Sequence, residues 1–108
     1  MSRIPREAWA SELSEFSRRN AGRSTILEIR QPNVGVREEE AGYPLQGVTF
    51  DEAENCISVF VGGDTPSSPR LSHISKNPRR VEILHRSDGQ DEALHIKDRR
   101  RSMLLALI

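Results

Sequence analysis

The chain is poor in the residues that most often announce a function. Its single cysteine, Cys56, leaves no intramolecular disulfide to be made. Aromatic residues make up 5% of the 108 positions, with one tryptophan and one tyrosine, so broad base-stacking surfaces are scarce. No apolar run approaches the roughly 20 residues of a membrane span. The N-terminus is charged and amphipathic where a signal peptide would carry an apolar block, and these features together predict a soluble, cytoplasmic protein without a membrane partner. There is no net charge either: 16 basic side chains balance 16 acidic ones, which removes the simplest argument for nucleic-acid binding. Within that balance, residues 1–56 carry seven basic and ten acidic side chains, and residues 57–108 carry nine and six. Arginine supplies 14 of the 16 positive charges, a bias that compositional drift explains as readily as anion binding.

What is present is one helix and a series of short strands in a single domain. At 108 residues folding buries roughly two-thirds of the surface of the unfolded chain, enough for one core. From Ile4 to Asn20, Trp9, Leu13 and Phe16 recur at i, i+4 and i+7, with Arg6, Glu7, Glu12, Glu15 and Arg18 on the other sides, so residues 4–20 read as an amphipathic helix covering a sheet. Pro5 suits its first turn and Asn20-Ala21-Gly22 its end. These three apolar side chains are therefore assigned a structural role.

Strands are expected at about 24–30, 34–40, 45–50, 56–61, 71–75, 80–86, 92–97 and 102–108. Pro32-Asn33 closes the first, Glu38-Glu39-Glu40 marks the second as an edge, and Pro44 fits an edge or a strand start. The stretch Gly62 to Pro69 reads as an exposed loop. A tight turn at Asp88-Gly89 places Ile83 opposite Leu94 and Val81 opposite Ile96, and a second at Arg99-Arg100 places Ile96 opposite Met103 and Leu94 opposite Leu105. One face of this meander is continuously apolar. Its reverse face carries Leu84, Ala93, Leu104, Ala106 and Ile108 among polar residues, too apolar to stand wholly in water, so the helix or a second copy should cover it. The expected fold is α+β: an N-terminal helix followed by six to eight mostly antiparallel strands curled into an SH3-like or Sm-like roll or small barrel.

The segments Ile4-Pro5-Arg6-Glu7-Ala8-Trp9, Phe16-Ser17-Arg18 with Gly22, Pro44-Leu45-Gln46-Gly47-Val48 and Asp91-Glu92-Ala93-Leu94-His95-Ile96 resemble, in order and spacing, a family of short bacterial proteins catalogued as a domain of unknown function. The chain departs from that pattern before its last strand, where Asp98-Arg99-Arg100-Arg101 replaces a polar Asp-Gly type of turn. The resemblance implies a compact bacterial domain and brings no activity, cofactor or catalytic residue.

The remaining constellations are weak. His73, His85 and His95 lack the close spacing of metal ligands, and the register puts His85 opposite Glu92 and His95 opposite Glu82 as ordinary cross-strand pairs. Cys56 has no histidine base beside it in the sequence. Gly62-Gly63-Asp64-Thr65 lacks the Gly-Lys-Ser/Thr ending of a phosphate loop. Arg99, Arg100 and Arg101, with Arg79, Arg80 and Lys76 in the same half, form the one cluster that suggests a ligand. The favoured expectation is a non-enzymatic protein-interaction or accessory module without a cofactor, with Arg99, Arg100, Arg101, Leu84 and Leu104 as partner-binding candidates. A small nucleic-acid-binding barrel using the three arginines is the alternative, an enzyme of unstated reaction the third reading, and a homodimer is compatible with each.

Overall fold

A computed structural model describes residues 2–31, 35–63 and 65–108. The elements in order are β1 (Ser2–Arg3), a 3-10 turn (Arg6–Ala8), α1 (Trp9–Asn20), β2 (Ser24–Gln31), β3 (Val36–Asp51), β4 (Cys56–Gly62), β5 (Arg70–Lys76), β6 (Arg80–His85), β7 (Asp91–Lys97) and β8 (Ser102–Leu107). All pairings are antiparallel, in the order β1-β6-β7-β8-β2-β3-β4-β5. The two-residue β1 is an addition to the expected strands. Pro32, Asn33 and Val34, the expected turn and the start of the second strand, lie outside the described residues, as does Asp64.

The helix is shorter than its sequence pattern. Pro5 precedes a 3-10 turn, and regular α-helix begins at Trp9. The stripe Trp9, Leu13 and Phe16 is buried and continues one turn further to Asn20, which is 2% exposed. Trp9 meets the Phe50 ring edge-on, with centroids 5.3 Å apart, and donates its indole N–H to the Ile4 carbonyl at 2.9 Å. Ser17 Oγ accepts the Val48 N–H at 2.8 Å, so the helix is seated directly on β3.

The helix buries its apolar face in the core that the front of the meander lines, and this corrects the reading in which the helix, as opposed to a second copy, shields the reverse side. Trp9, Leu13 and Phe16 belong to one buried cluster with Val81, Ile83, Leu94, Ile96, Met103, Leu105 and Leu107 of that front, joined by Leu27, Ile29, Leu45, Val48, Ile57, Val59 and Val61. On the reverse side Leu104 and Ile108 remain 36% and 67% exposed. The front is the uninterrupted apolar surface, and it is the side that faces the core.

Two expected strands, 34–40 and 45–50, are one bent strand. In β3 the register with β2 shifts where Thr25 pairs with Tyr43 and Ile26 with Ala41, leaving Gly42 as the extra residue at φ +89°. Pro44 follows with no N–H to give, and a second shift lies between Leu45 and Gly47. The first half of β3 thus pairs with β2 and the second half with β4, and Pro44 stands at a bend inside the strand.

The meander keeps the expected register: Val81 faces Ile96, Ile83 faces Leu94, Leu94 faces Leu105 and Ile96 faces Met103. At the first turn it slips by one residue. Arg86 N–H bonds the Gln90 carbonyl at 2.7 Å, Gly89 stands at φ +88°, and His85 pairs with Asp91 where Glu92 was expected. A three-residue loop thus replaces the two-residue one, and a bulge at Glu92 restores the register.

No backbone ladder joins the two ends of the sheet among the described residues, so the sheet is open. It curls enough for polar side chains of β5 to reach strands beyond its neighbour β4. His73 Nε2 on β5 lies 3.0 Å from Glu40 Oε2 on β3, and Ser75 Oγ on β5 donates to Asp98 Oδ2 at 2.8 Å.

Candidate functional site

Where β5 approaches the β7–β8 hairpin lies an open cleft of about 720 Å³, lined by Gln31, Ile74, Lys76, Asn77, Arg79 and Asp98 to Arg101. A smaller hollow of about 300 Å³ continues it along the other side of the hairpin, past His95, Lys97 and Ser102. The cations come from two separate stretches of the chain. Lys76 ends β5, Arg79 sits in the connection to β6, and Arg99 to Arg101 form the hairpin tip.

Asp98 builds that tip. Its Oδ1 accepts the backbone N–H groups of Arg100 and Arg101, both at 2.8 Å, while its own N–H reaches the Arg101 carbonyl at 3.0 Å. The carboxylate is 8% exposed and uses Oδ2 for Ser75. An aspartate that bonds the amides two and three residues ahead holds a turn without glycine, which is how three consecutive arginines are accommodated there. Arg101 also donates its guanidinium to the Ile74 carbonyl. Arg99, Arg100, Lys76 and Arg79 hold no side-chain hydrogen bond or ion pair among the described residues, and Arg99 and Arg100 are exposed.

Asn77, which lines the cleft, is held by a second asparagine, Asn55. Asn55 and Asn77 both adopt left-handed backbone, at φ +51° and +52°. Asn77 N–H bonds the Asn55 carbonyl at 2.9 Å and Asn55 Nδ2 bonds Asn77 Oδ1 at 3.0 Å. Arg6, whose guanidinium lies 5.0 Å from the Trp9 ring centroid, donates to Asn55 Oδ1 at 2.6 Å. The connection from β5 to β6 is thereby tied to the start of the helix.

Leu84 and Leu104 line neither hollow. Leu84 is half-buried in a cross-strand row with Ala93 and Ala106, and Leu104 lies in the next row beside His95 and Glu28, on the outer face of the sheet. Tyr43, Phe50 and Phe60, the half-exposed rings, are absent from the cleft lining too. The histidines are apart from one another: His73 with Glu40, His85 with Asp91 at 3.3 Å, His95 with Glu82 at 3.7 Å. Among the described residues no group of three His, Cys, Asp or Glu is arranged to hold a metal ion. Cys56 is half-buried at the start of β4.

Sequence reasoning passed over Asp91, the strongest buried polar centre. Its carboxylate accepts from Arg19 Nε and Asn20 Nδ2, both at 2.8 Å, and its carbonyl accepts from Arg23 at 3.0 Å. Burial by itself raises the Asp91 pKa, but the hydrogen bonds from Arg19 and Asn20 and the charges of Arg19 and His85 outweigh it and leave the group below the usual carboxylate value. The same bond to Asp91 raises the pKa of Arg19. This network fastens the C-terminal end of α1 to β7, so its role is structural.

Fold and cleft together define a helix-capped antiparallel α+β domain with a cationic cleft at one end of its sheet. The chain belongs to the family of unknown function DUF5335, whose sequence profile matches residues 1–107. The resemblance carried by the Ile4–Trp9 and Asp91–Ile96 segments is thereby shown. No curated protein and no solved structure matches the chain. No described helix is long and apolar enough to cross a membrane.

Proposed function

We propose that this domain is a non-enzymatic protein-interaction module whose basic cleft receives an acidic segment of a partner. The observation that carries the reading is the gathering of Lys76, Arg79, Arg99, Arg100 and Arg101 from two distant stretches of the chain around one cleft in a chain without net charge. Like charges held together repel, and an anionic partner relieves that repulsion and is drawn in by the summed field. On this reading the curled sheet is an incomplete small barrel of SH3-like or Sm-like type, closed by side chains at the basic end. A cytoplasmic location is part of the same proposal and agrees with an unpaired thiol at Cys56. The outer face with Leu84 and Leu104 is the surface a second copy would use.

Nucleic acid is the second reading, since exposed Arg99 and Arg100 could pair with phosphates. The cleft offers no aromatic lining on which bases would stack, which is why an acidic peptide is preferred. Fluorescence anisotropy with a ten-residue polyglutamate and with a single-stranded oligothymidine, at low and moderate salt, separates the two. The expected result is salt-sensitive binding of the peptide that weakens about tenfold or more in Arg99→Ala/Arg100→Ala with an unchanged melting temperature. Tighter binding of the oligonucleotide selects the second reading, and binding of neither probe refutes both.

A further inference from the structure

The cleft is bordered by the free edge of β5, and the backbone there is not closed off. Ladder bonds to β4 involve the odd-numbered residues of β5: Gly63 N–H bonds the Pro69 carbonyl at 3.0 Å, and Val61–Leu71, Val59–His73 and Ile57–Ser75 continue that alternation. Arg70, Ser72, Ile74 and Lys76 therefore turn their N–H and C=O groups away from β4. β5 is the last strand of the sheet, and the one backbone group on this edge with a partner among the described residues is the Ile74 carbonyl, which takes the Arg101 guanidinium. Ile74 is also one of the few large apolar side chains left exposed, at 42%.

An open edge, an exposed isoleucine and a bank of arginines within one cleft describe a receptor for a strand. We propose that the partner segment binds as an extended acidic peptide that adds to the edge of β5 as a further antiparallel or parallel strand, with an apolar residue against Ile74 and carboxylates against Lys76 and Arg99 to Arg101. The proposal rests on the acidic-partner reading above and specifies the form that partner takes. Main-chain hydrogen bonds supply affinity in such additions, and alternate side chains supply selectivity. Arg101 acts as the gate. In the free protein its guanidinium occupies the Ile74 carbonyl and discourages pairing with another sheet edge. An incoming strand replaces it there with a backbone N–H, which releases Arg101 to pair with a carboxylate on the peptide. Basic side chains around the edge select acidic strands and repel basic ones.

The test uses the full chain and an end-blocked octapeptide of alternating glutamate and valine, at low salt, with two further versions of it methylated on the backbone nitrogens of the valines or of the glutamates. An added strand turns alternate N–H groups toward β5, so one methylated version should lose about tenfold or more in affinity while the other binds as the parent does. Hydrogen exchange at the amides of Ser72, Ile74 and Lys76 should slow in the complex with the parent peptide. Equal binding by all three peptides with unchanged exchange at those amides overturns strand addition and leaves the acidic-partner reading standing. Failure of every peptide, including polyglutamate, overturns both.

Discussion

Ser75 on β5 and Asp98 at the tip of the β7–β8 hairpin, 23 positions apart in sequence, share a buried hydrogen bond of 2.8 Å that ties the last strand of the sheet to that hairpin. The same carboxylate shapes the arginine turn, so one residue both tethers β5 and presents the cations. Ser75→Ala should leave Asp98 Oδ2 buried without that donor and cost about 1–3 kcal/mol in a urea melt. Asp98→Ala removes the two turn bonds as well and should cost more. It should also loosen the placement of Arg99 and Arg100, seen as weaker polyglutamate binding in spite of the lost negative charge.

Side-chain periodicity made part of this architecture readable. Trp9, Leu13 and Phe16 at helical spacing, and Val81, Ile83, Leu94 and Ile96 at strand spacing, are buried and registered as their pattern requires, because each periodicity reports one face. The bend in β3 was hidden, since Gly42 and Pro44 punctuate a strand in the same way that they end one. The bulge at Glu92 was hidden because a one-residue slip at a turn leaves the apolar pairs beyond it intact. The cleft was half legible: the three arginines stand side by side in the sequence, but Asp98, Ser75 and Ile74 join them through the curl of the sheet, a property of the whole fold. Asp98 two and three residues before the amides it accepts was the local signal that could have been used.

Asp91 should make stability fall at acid pH. Its pKa is lowered in the folded state, chiefly by Arg19 and Asn20 overcoming burial, so its contribution is present above the unfolded value of about 4 and is lost as the pH falls through the lower folded value. Asp91→Asn should flatten this limb of the pH profile, measured by thermal melts from about pH 6 downwards. At neutral pH Asp91→Ala should cost about 1.5–3 kcal/mol, the range for hydrogen bonds to a charged group.

Gly62 closes β4 at φ +80°, and a Cβ built there would stand inside the contact distance of the Pro69 carbonyl oxygen. That oxygen accepts the Gly63 N–H and cannot move away without loss of the bond. Gly62→Ala should therefore destabilise the domain by about 2 kcal/mol or more, from left-handed strain and the clash together. Gly89→Ala, at φ +88° with nothing within 4 Å of the added carbon, should cost less. A larger effect at Gly89 than at Gly62 in paired denaturant melts would contradict this ranking.

Trp9 supplies the sharpest test of the helix. The ring is 3% exposed, wedged against Phe50, bonded to the Ile4 carbonyl, and covered on another side by Arg6. Trp9→Ala empties that space and strands the Ile4 carbonyl, and Phe or Trp to Ala changes in cores cost about 3–5 kcal/mol. A domain of this size has about 5–15 kcal/mol in all, so the variant should be marginal at room temperature. Trp9→Phe keeps most of the volume and loses the indole N–H, and it should lose less. Because Arg6 holds Asn55, and Asn55 holds Asn77 in the cleft lining, Trp9→Phe should also leave polyglutamate binding close to that of the parent. A Trp9→Ala shift below about 1 kcal/mol, the scale of surface substitutions, would show that the aromatic face is not the seat of the helix.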